Sequence, residues 1–413
     1  MEGEVAGLIV AFEPGVETSQ GDQQVPGESR VDSVDLSIAG NVTDDAVLVE
    51  LSDSVSLAEA EQIASDLQGD PAVAWAEPDQ FIFTASAQAN DALADAVSVP
   101  DDARYATDQW NLWDSFGIGV GDGATSMTQA WASGTGEGAT VAVIDTGITA
   151  HPDLDSQVVA GFDFVSNPEQ LAASRVERGP PVAFDADAEN PGAFGAAGWD
   201  ANPTDPGDWR GVSPTRSSTW HGTKVAGVIA AQARNAQGIA GIAPGAKIQP
   251  IRALSWRGGL LSDIAASITW ASGGNVDGAP ANATPADVIN LSLAAETLCP
   301  TALQQAIDGA RERGSVIIAA AGNANDDATK YAPGNCNGVI TVAATDRSGA
   351  RAPYSNYGER IDISAPGGNT PVDGGILTTS NAGATDSSEP IWAADQGTSY
   401  AAAHDTSATA NIK

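Results

Sequence analysis

The chain has 413 residues and a formal net charge of −36, from 54 acids against 18 lysines and arginines. That imbalance excludes a nucleic-acid partner, whose phosphates demand basic side chains, and fits a soluble, self-repelling protein. With 42% hydrophobic residues, 45 glycines and 23 prolines there is material for a large, turn-rich core in about two or three domains, and no apolar run reaches the ~18 residues of a membrane span.

The charge is uneven. Residues 1–104 hold 22 acids against Arg30 and Arg104, so −20 of the −36 falls in the first quarter and marks a separate module. The opening Met1-Glu2-Gly3-Glu4 lacks the basic and apolar regions of a signal peptide. Gly7–Phe12 reads as a strand followed by an acidic loop, and Ala46–Leu51 as a second strand. Ser56 with Glu59 is a capping-box signature, and Leu57, Ala60, Ile63, Ala64 and Leu67 repeat behind it at helical spacing. Pro71–Pro78 closes with a strand, so residues 1–83 predict a small α+β domain. Thr84 to Asp102 is Ala-, Ser- and Asp-rich without periodicity, which predicts a linker over 84–104.

From Arg104 the character changes. Gly134-x-Gly136 precedes a strand, whereas a dinucleotide fingerprint must follow one. That strand, Val141-Ala-Val-Ile-Asp145, is apolar throughout, ends in an acid and runs into Thr146-Gly147. Residues 165–218 predict a long loop in which Asp200, Asp205 and Asp208 sit on turn-forming backbone. Hard oxygen donors there suit Ca²⁺, and an ordinary solvated loop suits the same residues. His221–Ala231 predicts a helix with small residues on one face, and Ile239–Ile251 strand material. A helix over Ile264–Ala271, a strand over Ala286–Leu293 and a helix marked by Leu303, Ile307 and Ala310 follow. Strands over Ser315–Asn323 and Gly338–Ala344 come next. This alternation predicts an α/β fold: a mostly parallel sheet with helices on both faces. Cys299 and Cys336 could close one disulfide or remain two buried thiols.

The chain has three histidines, His151, His221 and His404. A serine nucleophile needs a neighbouring general base, and the base needs an orienting group. Asp145 ends a strand, His221 starts a helix, and Ser399 follows a Gly turn ahead of an Ala-rich helix, where backbone amides and the helix dipole favour a developing negative charge. Asn323, after Ala-Ala-Ala-Gly, could donate its amide to an oxyanion. Each residue alone also reads as a cap, core or turn residue; together, in the order Asp, His, Ser and each at an element boundary, they are specific. An aspartic-protease reading of Asp145-Thr-Gly fails because no second Asp-Thr/Ser-Gly occurs.

Asp145 in VIDTGI…HPDL, His221 in HGTKVAG, Asn323 in AAAGN and Ser399 in GTSYA resemble the subtilisin-like serine proteases, the family known for this order of the three residues. The likeness runs from about Gln109 to His404 and is most similar to the secreted bacterial extracellular protease branch. It implies that Ser399 attacks the scissile carbonyl, His221 moves its proton, Asp145 holds the ring, and Asn323 with the Ser399 amide forms the oxyanion hole. It implies that Ser292, Leu293 and Ala294 pair with substrate backbone, that Ala320, Ala321 and Gly322 line the first specificity pocket, and that Asp153 ligates structural Ca²⁺. The module at 1–83 resembles the inhibitory propeptide, with processing in the 84–104 linker and a catalytic domain over 105–413. The whole is then a secreted, monomeric serine endopeptidase zymogen acting on protein or peptide substrates, with its own propeptide bound in cis. The alternative is an inactive relic whose cleft the propeptide blocks.

The departures are specific. Lys224 stands where a second His is common, Ala294 and Ala295 replace Gly-Gly, Tyr400 replaces Met, and Ala403 replaces Pro. After His404 the sequence leaves the family pattern, so the C-terminal part reads as truncated. A helix cut short near His404 would leave carbonyls unpaired and predicts low stability.

Overall fold

The computed structural model describes residues 4–13, 16, 30–31, 34–43, 46–79, 81–84, 104–112, 131, 134–166, 199–209, 216–256 and 258–411. Most of the expected linker (85–103) and much of the expected loop (167–198 and 210–215) lie outside them.

The N-terminal module is an antiparallel sheet of β1 (Glu4–Phe12), β2 (Arg30–Val31), β3 (Val34–Asn41), β4 (Ala46–Ser56) and β5 (Val73–Pro78), in the order β2-β3-β4-β1-β5. Helix α1 (Leu57–Leu67) packs Ala60, Ile63, Ala64 and Leu67 onto Leu8, Val10, Leu36, Ile38, Val47 and Val49. The capping box forms as expected: the Glu59 amide donates to Ser56 Oγ at 3.3 Å, and the Ser56 amide to Glu59 Oε2 at 2.9 Å. The expectation of an acidic loop between the first two strands is corrected. Within it Leu36 and Ile38 face the core and alternate with Asp35 and Ser37, so β3 forms and doubles the sheet face that α1 covers.

The larger body is built on seven parallel strands in the order β16-β15-β13-β11-β7-β9-β8. They are β7 (Thr140–Asp145), β8 (Phe162–Asp163), β9 (Lys247–Arg252), β11 (Val288–Leu291), β13 (Val316–Ala320), β15 (Val339–Thr345) and β16 (Ile363–Pro366). Between them run α2 (Arg104–Asp108), α3 (His221–Ala230), β10 (Gly259–Leu260), α4 (Leu261–Ala271), β12 (Leu293–Glu296), α5 (Thr301–Glu312) and β14 (Tyr331–Ala332). After β16 come the short α6 (Thr370–Asp373), a hairpin of β17 (Ile376–Asn381) and β18 (Pro390–Asp395), and α7 (Thr398–Asn411).

The central strands are mostly apolar on both faces because both are covered. Ala142 and Ile144 of β7 join the core under α4 and α5, while Val141 and Val143 join the core under α3 and α7. The chain passes from β7 outward to β9, then recrosses by α4 to β11 on the other side of β7. The carboxyl ends of β7 and β11 therefore flank a topological switch point, where open α/β sheets place their crevices.

A helix shortened near His404 is not what forms. α7 runs to Asn411, and two of its polar residues are bonded in the core: Thr406 Oγ1 donates to Asn290 Oδ1 at 2.9 Å and Ser407 Oγ to the Ala403 carbonyl at 2.6 Å. The side-chain amide of Asn411 donates to the Ile242 carbonyl at 3.0 Å.

Cys299 and Cys336 form a disulfide across 37 positions, tying the approach to α5 to the segment ahead of β15. Replacing both with alanine is expected to cost about 3–4 kcal/mol on the loop-closure model, read as a lower urea midpoint. An unchanged midpoint would mean that packing alone holds this loop.

Candidate active site

β7 delivers Asp145, fully buried, to the carboxyl edge of the sheet. α3 begins with His221 against it. The approach is close: a Cβ on Gly222 would lie 2.1 Å from the Gly147 carbonyl oxygen, so only glycine fits beside the imidazole. Trp220 enters the helix in the left-handed region (φ 53°) and is anchored by its indole N–H on the Gly383 carbonyl at 2.8 Å.

His221 Nδ1 lies 2.8 Å from Asp145 Oδ1 and 2.9 Å from Oδ2, and the Thr146 amide donates to Oδ1 at 2.7 Å. The carboxylate therefore holds Nδ1–H and leaves Nε2 as the acceptor. Burial disfavours the imidazolium, but the charge and hydrogen bond of Asp145 and the charge of Asp395 outweigh it, even against Lys224. The proton affinity of His221 ends above its ordinary value. Nε2 is buried without a hydrogen-bond partner among the described residues.

Ser399 is the second residue of α7 and fully buried; its hydroxyl donates to the Ser292 carbonyl at 3.2 Å. Ser292 Oγ in turn donates to the Ser399 carbonyl at 2.9 Å, so β11 and the start of α7 are cross-tied. Asn323 lies just beyond β13. Its Oδ1 accepts the Thr398 amide at 2.9 Å and the Thr398 hydroxyl at 3.0 Å, which fixes the side chain and turns Nδ2 the other way. Nδ2, like Nε2 of His221, is buried with no partner among the described residues. An open acceptor and an open donor are what a buried site needs if a reacting group completes it.

Leu293 and Ala294 lie on β12, Ala320 ends β13, and Ala321 and Gly322 follow it. Gly322 adopts φ +100°, and a Cβ there would meet Asn356 Nδ2 at 2.4 Å. Asn356 was not expected to matter. Its amide donates to the Ala321 carbonyl at 2.8 Å and its Oδ1 accepts the Ala324 and Asp326 amides, so it shapes the loop that carries Asn323.

A further strand, β6 (Phe81–Thr84), lies between β10 and β12, antiparallel to both, with Thr84 facing Leu293, Phe83 facing Ala294 and Ile82 facing Gly259. Two acids just ahead of it dock on helix starts. Glu77 accepts the Thr301 and Ala302 amides of α5 at 2.7 and 2.6 Å; Asp79 accepts the Ser262 amide of α4 at 2.7 Å and its hydroxyl at 2.5 Å. Burial pushes the Asp79 carboxyl up to about 6. The only sequence signal for these contacts is an acid on each side of Pro78, which reads equally as a turn.

The expected calcium ligands do not assemble. Asp153 is engaged by the Asn235 amide (2.7 Å), the Ile239 amide (3.0 Å) and the Trp392 indole (2.8 Å). Asp205 accepts the Thr146 hydroxyl at 2.7 Å and the Gly207 amide at 2.8 Å; Asp208 is paired with Arg216 at 2.7 Å and capped by Thr219. Asp200 accepts the Asn202 amide at 2.6 Å. Donors of the protein engage each of these carboxylates. Among the described residues no group of three His, Cys, Asp or Glu side chains could hold a metal.

Comparison with known proteins gives the following. The model of the subtilase family matches residues 136–413. The extracellular protease of Xanthomonas campestris pv. campestris is 41% identical over 363 residues, covering 86% of this chain and 54% of that protein. The extracellular basic protease of Dichelobacter nodosus is 38% identical over 325 residues, 76% of this chain and 48% of its own length. The chain thus spans about half the length of these curated relatives. Among solved structures, a protease from Pseudoalteromonas arctica superposes with a TM-score of 0.66 at 42% identity, over 76% of this chain and 87% of that one. Fervidolysin from Fervidobacterium pennivorans, at 21% identity and a TM-score of 0.59, covers 100% of this chain and 55% of its own and shows the likeness of fold.

Proposed function

From the premise that the chain belongs to the subtilase family, we propose that it is the zymogen of a secreted serine endopeptidase. The observation that carries the reading is the imidazole of His221, held by Asp145 through Nδ1 and open at Nε2, beside the start of the helix that bears Ser399. When a substrate carbonyl arrives, the Ser399 hydroxyl leaves the Ser292 carbonyl, gives its proton to Nε2 and bonds the carbonyl carbon. The oxygen that becomes negative is met by Asn323 Nδ2 and the Ser399 amide. The imidazolium, stabilised by Asp145, returns the proton to the departing amine, and water repeats the sequence on the acyl-enzyme. Asn323 cannot turn its oxygen toward the oxyanion without forfeiting both bonds from Thr398.

The substrate backbone takes the strand position between β10 and β12 that β6 now fills. Residues 1–83 are then an inhibitory domain anchored by Glu77 and Asp79, 84–104 the linker that is cut, and 105–413 the catalytic domain. Protein and peptide substrates follow, and so does release outside the cell, in line with relatives described as extracellular proteases.

Thr84, where β6 ends, faces Leu293, the residue after Ser292, whose carbonyl holds the nucleophilic hydroxyl. We place self-cleavage at the Ala85–Ser86 bond. Intact mass after incubation should show fragments ending at Ala85 and beginning at Ser86 in the wild type, and one undivided chain in Ser399→Ala. An undivided chain in both would refute self-processing.

A further inference from the structure

Beside the line Asp145–His221–Ser399, a second buried charged group joins the two helices that carry the imidazole and the hydroxyl. Lys224 lies one turn after His221 on α3, and Tyr400 follows Ser399 on α7. Both reach one atom: Lys224 Nζ is 2.8 Å and Tyr400 Oη 2.9 Å from Oδ2 of Asp395, the last residue of β18. The other oxygen accepts the Gln396 amide at 2.8 Å, which fixes the carboxylate plane. Tyr400 is fully buried, the Lys224 side chain is 13% exposed, and the rings of Tyr400 and His221 lie 6.0 Å apart. Lys224 and Tyr400 are two of the positions at which this sequence leaves the family pattern, and here they meet.

We propose that Lys224, Asp395 and Tyr400 form a positioning clamp that fixes the spacing of the His221 and Ser399 helices and sets the pH at which the imidazole is free to take a proton. The inference rests on the endopeptidase reading for its consequence in turnover, though not for its effect on His221. One carboxylate oxygen bound by both helices resists their separation, because parting them breaks a buried ion pair or a buried hydrogen bond. Four groups face the imidazole: Asp145 from β7, Asp395 from β18, Lys224 from its own helix and the phenol of Tyr400 from α7. Asp395 favours the imidazolium and Lys224 opposes it less strongly, so the two charges of the pair act on His221 with opposite signs. Burial works against the Asp395 carboxylate, but Lys224 together with the hydrogen bonds from the Gln396 amide and the Tyr400 hydroxyl outweighs it and holds the group below its ordinary range.

Removing one member unbalances the pair with a defined sign. Lys224→Met leaves the carboxylate alone and raises the proton affinity of His221; Asp395→Asn leaves the ammonium alone and lowers it. The test is the titration of His221 followed by ¹³C-histidine NMR in the full chain carrying Ser399→Ala, which cannot digest itself. The His221 signal is assigned by its loss in His221→Ala. Relative to the parent, the midpoint should move up by about one pH unit in Lys224→Met and down by a similar amount in Asp395→Asn. Midpoints that move in the same direction, or stay put, overturn the proposal. Should Asp395→Asn fail to fold, Lys224→Met alone decides the sign. In the active chain, Tyr400→Phe keeps both charges but opens one arm of the clamp. It should lower kcat about tenfold with KM and the pH profile unmoved, and an unchanged kcat would remove the spacing role. A chain that hydrolyses nothing while the two midpoints part as stated would retain the electrostatic half of the clamp and reject the endopeptidase.

Discussion

Ser399→Ala is expected to lower kcat on a chromogenic peptide by about 10⁶-fold and to leave KM nearly unchanged. The size is that of the equivalent removal in subtilisin, about 2 × 10⁶, carried over from that enzyme on the shared arrangement of residues. Its physical basis here is that no other hydroxyl replaces the lost one. Ser292 Oγ accepts the Asn290 side-chain amide and donates to the Ser399 carbonyl, each at 2.9 Å, and is not free to attack. KM should hold because the backbone of Gly259, Leu293 and Ala294, which pairs with β6 and on the proposed reading with substrate, is not touched by the substitution. The variant cannot open its own linker, so both chains are first nicked between 84 and 104 with an unrelated protease and freed of residues 1–83. Some 10³–10⁴-fold of catalysis over water should survive from the oxyanion donors and binding. A loss below about a hundredfold would mean that Ser399 is not the nucleophile. A fluorophosphonate probe should label the wild type at Ser399 and leave the variant blank.

How much of this was legible in the sequence depends on where each residue's partners lie. β7 could be read because its partners are implied by its own composition: four apolar residues in a row are tolerable only where both sheet faces are covered. α1 announced its start through two side chains three positions apart. β6 could not be read, because Phe81–Thr84 is a strand by virtue of Gly259–Leu260 and Leu293–Ala294, some 180 and 210 positions downstream. That Asp153, Asp200, Asp205 and Asp208 form no metal-holding group among the described residues has a related reason. Asp153 looks like a spare carboxylate in the sequence, whereas the Trp392 indole that engages it comes from another part of the fold, and Asp208 is taken by Arg216 of its own loop. The C-terminal helix was underestimated because the sequence leaves the family pattern after His404. Asn290, on the strand beneath, accepts the Thr406 hydroxyl and makes that polar residue a core residue. Asp145, His221, Ser399 and Asn323 could be named because each sits at an element boundary with a short signature around it. Lys224 and Tyr400 stand in those signatures only as departures, Asp395 has none, and their convergence required coordinates.

Asp145→Asn should cost about 10⁴-fold in kcat/KM while the protein stays folded, and the reason is tautomeric rather than steric. The side chain of residue 145 serves two neighbours: the Thr146 amide, a fixed donor 2.7 Å from Oδ1, and His221 Nδ1 at 2.8 and 2.9 Å from the two oxygens. An asparagine has one oxygen for these two demands. The backbone N–H cannot change its role, so the oxygen stays with Thr146 and the NH₂ turns to His221. Nδ1 must then accept, which moves the ring proton to Nε2 and points a donor at the atom that has to take the proton of Ser399. A loss of similar size is known for this change in other serine proteases. The charge is lost as well, and with it the strongest interaction that favours the imidazolium, so the residual activity should persist to lower pH than in the wild type. The sign is fixed: His221 works as a base only above its own midpoint, and that midpoint falls when Asp145 is neutral. Activity within tenfold of the wild type, or an acid limb displaced upward, would show that the imidazole is not governed by Asp145. A circular dichroism melt matching the wild type separates this chemical defect from unfolding.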